Sequence, residues 1–208
     1  MGLYDRYILP PLIDLACGTK AMMRERSKII ERARGAVLEI GAGTGHNLAF
    51  YDADAVTHIH ALDPSEEMLR RYRTAAADHA IPTTFHATGA EDIGMDSDSI
   101  DTVVLTFTLC TIPEVARALE EMKRVLKPGG ELLFCEHGLS PRPEVQRWQH
   151  RLNRPWGFLA GGCTLNRDIP ARHQAAGFTL LELESHVLPR TPEFAGRVFR
   201  GVASAPVA

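Results

Sequence analysis

Gly41, Gly43 and Gly45 alternate along VLEIGAGTGHN (37–47), directly after a short apolar run. Glycines so spaced permit a tight turn whose backbone can approach a ligand closely. No Lys-Ser or Lys-Thr pair follows the last glycine, so this is not the phosphate-cradling P-loop. Asp63 lies 18 residues after Gly45, at the end of the next apolar run. An acid at such a strand end can accept both hydroxyls of a ribose. It can equally cap a helix before Pro64, and the two roles are compatible. Glu39 sits inside the first run, two residues before the first glycine. A carboxylate there is costly to bury without a partner. It either orients the loop backbone or meets a cationic ligand group.

Other residue types that do chemistry are scattered. Cys17, Cys110, Cys135 and Cys163 form no CxxC pair, which excludes a zinc signature and a disulfide framework. They read as reduced thiols of a cytoplasmic protein. His46, His58, His60 and His79 have no metal-ligand spacing, so no metal is expected. The charge balance, 23 basic against 26 acidic residues, offers no basic surplus for nucleic acid. No apolar run reaches the roughly 18 residues of a membrane span. The start, with Asp5, Arg6, Pro10 and Pro11, lacks the apolar core of an export signal.

These residues need a scaffold, and 208 residues with 45% hydrophobic and 24% charged content make one globular domain. Strands are expected at 36–40, 57–63, 83–88, 101–107 and 131–137, with helices at 20–33, 64–80 and 113–126. The run DTVVLTF (101–107) is apolar and β-branched, as a strand buried on both faces should be. Pro64 suits the first turn of its helix, and Ser65, Glu66 and Glu67 suit its positive end. Arg24, Lys28 and Arg32 form a ladder read as a solvated face. Alternating strands and helices imply an α/β fold with a mostly parallel sheet. Beyond residue 140, segments 143–176 read as helical pieces interrupted by Pro155, Gly161 and Gly162. Residues 178–188 and 196–205 read as a closing pair of strands.

Taken in order, VLEIGAGTGHN, ALDPSEEML (61–69), GAEDIGMDSDSIDTVV (89–104) and RVLKPGGELLF (124–134) resemble the class I S-adenosylmethionine-dependent methyltransferases. The resemblance implies a Rossmann-like sheet of seven strands, the last antiparallel, with helices on both faces. It implies that Gly41 to Gly45, with Ala42 and Gly43 among them, pass under the methionine part of S-adenosylmethionine, and that Glu39 is a cofactor-binding residue. It places Asp63, with Pro64 beside it, at the ribose, and Ala90 and Glu91 at the adenine. Thr106 and Phe107 would face the methyl-bearing sulfur. Many members have Asp where this chain has Gly89, so Glu91 or a backbone carbonyl would meet the adenine amino group. Tyr4 would fold back over the cofactor, as an N-terminal Tyr does in small methyltransferases.

LPPLIDLACG (9–18), LCTIP (109–113), EHG (136–138), WQ (148–149) and RPWGFLAGGCTLNRD (154–168) resemble a subgroup of small methyltransferases. It contains the human methyltransferase-like seven proteins, which are alkyl thiol methyltransferases, and bacterial relatives. The human members carry a membrane-anchoring N-terminus with no counterpart here, so peripheral contact at most is expected. The implied reaction is in-line methyl transfer to a small molecule, with a thiol favoured. Residues 1–33 would form a helical lid and 143–168 would line the acceptor side.

Such a transfer requires the nucleophile about 3–3.5 Å from the methyl carbon and aligned with it. A thiol reacts as thiolate, and its ordinary pKa is near 8.5. His137, at the exit of the fifth strand, is the candidate base. Its alternative is a bond to neighbouring backbone that holds the 143–168 segment. Glu136 would orient His137 or pair with Arg167. Cys110, Trp148 and Cys163 are the substrate-side candidates. Cys110, like Cys135, could instead pack as a small hydrophobe. Trp148 and Trp156, eight apart, could share a helix face, as packing or as pocket walls. Rival functions are N-methylation of a lipid or amine head group, nicotinamide-dependent oxidoreduction, and a binding module without turnover.

Overall fold

The structure is a computed structural model, and it describes residue 14 and residues 17–206. Seven strands form one sheet in the order β3-β2-β1-β4-β5-β7-β6. They are β1 (Gly35–Ile40), β2 (Val56–Leu62), β3 (Thr83–His86), β4 (Ile100–Thr106), β5 (Leu126–His137), β6 (Thr179–Val187) and β7 (Arg197–Ser204). β7 runs antiparallel to both its neighbours, and the other pairings are parallel. The helices are α1 (Lys20–Ile30), α2 (Glu66–Ala75), α3 (Val115–Val125), α4 (Pro143–Leu159), α5 (Ile169–Ala175) and the short α6 (Glu193–Gly196).

Side-chain alternation along the strands builds a core on each face. On one face Val37, Ile59, Val104 and Leu133 pack against Ile29 and Ile30 of α1 and Tyr72 of α2. On the other, Leu38, Val103, Leu105 and Phe134 meet Ala118, Leu119 and Met122 of α3 and Ile169 of α5. Val103, Val104 and Leu105 are wholly buried, as a central parallel strand demands. Burying each such side chain is worth roughly 1.5–3 kcal/mol.

Several local expectations shift. Pro64 precedes α2 rather than entering its first turn, and Ser65 is the cap, accepting from Met68 N at 3.3 Å. Asp63 therefore does not cap the helix with its side chain. β5 begins at Leu126, ahead of the expected residue 131. It runs through KPGG with a register irregularity opposite Ile100–Thr102. Pro155 does not interrupt α4. The hydrogen bond it removes would have reached the carbonyl of Arg151, and both residues are exposed, so water can serve that carbonyl.

Candidate active site

The strand order reverses at β1, which has β2 on one side and β4 on the other. Ligands of open α/β sheets bind beyond the carboxyl ends of strands at such a point. A cavity of about 410 Å³ opens there. Gly41, Ala42 and Gly43 form its floor at the end of β1, and Asp63 and Pro64 border it at the end of β2. Ala90, Glu91, Thr106 and Phe107 complete the expected set within the same cavity.

The glycines serve backbone geometry. Gly41 and Gly43 have φ of 63° and 56°, where side chains are rare. A Cβ on Gly41 would also lie 2.2 Å from the Thr108 side chain. Asp63 Oδ2 accepts from Gly43 N at 3.0 Å and Oδ1 from Ser65 N at 2.8 Å. Each oxygen keeps a lone pair for a ligand hydroxyl. Burial pushes this carboxyl above its ordinary value, and the two backbone bonds oppose that shift. A Cβ on Gly89 would meet Glu91 Oε2 at 2.7 Å. The Glu91 carboxylate thus occupies the space that a side chain at position 89 would take. Phe107 adopts φ 53°, a strained conformation for an aromatic residue, directly at the cavity.

Glu39 does not line the cavity. It is 2% exposed behind the glycine turn and accepts from Asn47 Nδ2 at 2.8 Å, Tyr51 OH at 3.1 Å and Tyr72 OH at 2.7 Å. Burial raises its pKa against those bonds. Of its two expected roles, the geometry serves the orientation of the loop. Asn47 joins it to Thr106 Oγ1 at 3.0 Å and to Arg26 Nη1 at 3.0 Å. Arg26 also donates to Thr106 and stands over the Phe107 ring, 5.1 Å from its centroid. Arg26 and Asn47 escaped the sequence reading. The available signal was a charged residue at i−3 and i−4 from Ile29 and Ile30, on the apolar face of α1.

On the lid side, Asp14 accepts from Thr44 Oγ1 and lies 2.9 Å from His46 Nε2, and Asp14 and Cys17 line the cavity. Tyr4 lies outside the described residues. From 143–168, Gly161 alone appears in the cavity wall among the described residues.

His137 is 8% exposed and stands outside the cavity wall. Its two ring nitrogens are buried and have no hydrogen-bond partner, which excludes the expected backbone bond. Glu136 neither orients His137 nor pairs with Arg167. Its Oε1 accepts from Thr108 N at 2.8 Å, and Arg167 Nη1 donates to the carbonyls of Leu109 and of Ile112, the latter at 3.0 Å. Together they clamp the loop after β4, one through N–H and one through C=O. Burial pushes the Glu136 carboxyl up to about 7.

Trp148 is 57% exposed with Arg151 over its ring, away from the cavity, whereas Trp156 packs edge-on against Phe194. Eight helical steps of about 100° leave the two rings about 80° apart, and only Trp156 packs against the body of the protein. Gln149 is the inward residue: it accepts from Ser140 N at 2.9 Å and donates to the Gly138 and Phe194 carbonyls at 3.1 and 3.2 Å. Cys110 is 4% exposed and Cys163 partly exposed beside it, while Cys135 packs in the sheet core.

Residues 38–134 match the methyltransferase domain family. Thiol S-methyltransferase TMT1B of Homo sapiens is 32% identical over 158 residues, covering 74% of this chain and 64% of that protein. This chain thus spans just under two thirds of that relative's length. A phosphatidylethanolamine N-methyltransferase of Cereibacter sphaeroides is 36% identical over 118 residues, 55% of this chain and 57% of that protein. In fold, a crystal structure of an S-adenosylmethionine-dependent methyltransferase from Methanosarcina mazei has a TM-score of 0.66 at 21% identity, over 83% of this chain and 93% of that one. The nicotinamide alternative gives way to this match. With its glycine turn, its acid at the end of β2 and its single antiparallel strand, the chain carries a methyltransferase domain over residues 38–134, in a sheet of the kind seen in S-adenosylmethionine-dependent methyltransferases.

Proposed function

We propose that this protein methylates a small-molecule thiol. The cofactor supplies an electrophilic methyl group when bound. Asp63 would hold the ribose hydroxyls, the Gly41–Gly43 turn would lie under the methionine end, and Ala90 and Glu91 would border the adenine. The apolar surfaces of Leu62, Met68 and Ile112 in the same cavity suit a flat base. Phe107 and the Asp14–His46 contact border the cavity, where they would limit access of water to the methyl group.

The observation that carries the thiol reading is the group of buried nitrogens around the Cys163 sulfur, two residues from Gly161 of the cavity wall. The ring nitrogens of His137 and the indole N–H of Trp156 face that sulfur and are otherwise unpartnered. An unpaired buried donor costs about 1–3 kcal/mol, and an anionic sulfur nearby relieves that cost. The likeness to a thiol S-methyltransferase supports the same reading. His137 would take the acceptor proton or hold the thiolate. N-methylation of a lipid or amine head group is the second reading, favoured by the likeness to the phosphatidylethanolamine enzyme and by Asp14 and Glu91 at the cavity. A cytoplasmic location is part of the proposal; among the described residues, no helix is long and apolar enough to cross a membrane.

The test is a panel of alkyl thiols, phosphoethanolamine and phenols, with formation of S-adenosylhomocysteine as readout. Turnover on thiols is expected; turnover on the amine alone would replace the reading by its rival. On a reactive thiol, His137→Gln should lower turnover about 10²–10⁴-fold near neutral pH. The deficit should shrink above the thiol pKa, where solvent provides the thiolate. Parallel pH–rate profiles for the two proteins would remove His137 from the chemistry.

A further inference from the structure

Cys163 lies where the chain turns back toward the sheet after α4. Its neighbour Thr164 donates both its backbone N–H and its hydroxyl to the Cys110 carbonyl, each at 3.0 Å. That double attachment brings together two thiols 53 positions apart in sequence. Cys110 Sγ donates to the Phe107 carbonyl at 4.0 Å, and Cys110, His137 and Trp156 all face the Cys163 sulfur. The nitrogens of His137 and Trp156 are otherwise unpartnered, so a negative sulfur is the form this surrounding prefers. The Cys163 thiol is accordingly held well below its ordinary range, chiefly by the neighbouring Cys110 thiol, while Cys110 is pushed up. Cys163 is partly exposed and close to Gly161 of the cavity wall, whereas Cys110 is buried. An accessible activated thiol backed by a buried partner is the arrangement in which one sulfur attacks and the other resolves.

We propose that Cys163 and Cys110 form a redox modification site that reacts with hydroperoxides. The Cys163 thiolate attacks one peroxide oxygen and the O–O bond breaks. The departing alkoxide or hydroxide takes up the proton that Cys163 released and leaves as alcohol or water. Cys163 is oxidised to a sulfenic acid and the peroxide is reduced. Cys110 then attacks the Cys163 sulfur, an S–S bond forms, and the S–OH bond breaks. The hydroxide leaves as water with the Cys110 proton. The disulfide ties the turn after α4 to the loop that walls the cavity.

The test treats the full chain with a small molar excess of hydrogen peroxide. Thiols are then counted in denaturant with a chromogenic disulfide, and non-reduced peptides are mapped by mass spectrometry. The four cysteine thiols should fall to two, with Cys110 linked to Cys163 and the loss reversed by dithiothreitol. Cys163 should be consumed at least ten-fold faster than Cys135. In Cys110→Ser, dimedone should trap a sulfenic acid on Cys163; in Cys163→Ser, Cys110 should stay reduced at the same dose. If either variant fails to fold, the wild-type map decides alone. A link from Cys163 to Cys17, sulfinic acid on Cys163 with Cys110 unreacted, or equal rates for Cys163 and Cys135 would overturn the proposal.

Discussion

Asp63 is the residue on which the proposed cofactor site turns, because its two carboxylate oxygens join three structures. One oxygen holds the glycine turn through Gly43 N, the other holds the start of α2 through Ser65 N, and both keep capacity toward the cavity. Asp63→Ala should weaken S-adenosylmethionine and S-adenosylhomocysteine alike, since both carry the ribose. A lost ionised hydrogen bond is worth roughly 1.5–3 kcal/mol, or about ten- to hundred-fold in affinity by calorimetry. A loss confined to one of the two ligands would contradict the ribose assignment. Glu39 acts at one remove. Its three bonds from Asn47, Tyr51 and Tyr72 fix the underside of the turn whose upper side lines the cavity.

At the scale of elements, the proposed acceptor side depends on α4 and on the loop after β4. α4 is tied to the end of β5 by Gln149, which is wholly buried and serves the backbone of Ser140, Gly138 and Phe194. Gln149→Ala strands a buried N–H and two carbonyls. At about 1–3 kcal/mol for each buried group left unpaired, with partial relief by water, the expected cost is about 2–4 kcal/mol in denaturant unfolding. Hydrogen exchange should quicken over 143–160 and stay unchanged in β1 and β4. Uniform quickening would mean that α4 opens only with the whole fold. The place of α4 was legible as a helical stretch after residue 140, but its inward face was not. Trp148 is the larger and more apolar neighbour, and the helix turns Gln149 inward because the ends of β5 and α6 present backbone groups that an amide can pair and an indole cannot.

For the whole molecule, the two-faced core confers stability, and a buried carboxyl makes that stability depend on pH. Glu136 is wholly buried, with its pKa raised to about 7. Between its ordinary value near 4.5 and that raised value the folded protein holds the proton and the unfolded chain does not. Stability contributed by this group is therefore full below pH 4.5 and is lost as pH rises through 7. Glu136→Gln keeps an oxygen for Thr108 N and has no charge to bury. It should be more stable than wild type by up to about 3 kcal/mol at pH 8. The difference should close toward pH 4.5, as followed by urea unfolding at each pH. A difference that is constant with pH would show that Glu136 ionises freely in the folded state.

The sequence by itself determined what depends on local pattern. Apolar runs separated by helical spacings dictate the seven-stranded sheet, and the spacing from Gly45 to Asp63 brings turn and acid to the ends of adjacent strands. Both features follow from periodicity and from the short reach of a glycine turn. What the tertiary structure decided are contacts between residues distant in the chain. Arg26 meets Asn47 and Thr106 because α1 packs on β5 and β7 and against the turn at Leu48–Phe50; Glu136 and Arg167 close on one loop from distant parts of the chain; Cys163 comes near Cys110 because Thr164 docks on its carbonyl. No pattern of types along a chain encodes such distances, since each depends on how helices of given length and tilt seat their side chains on the sheet.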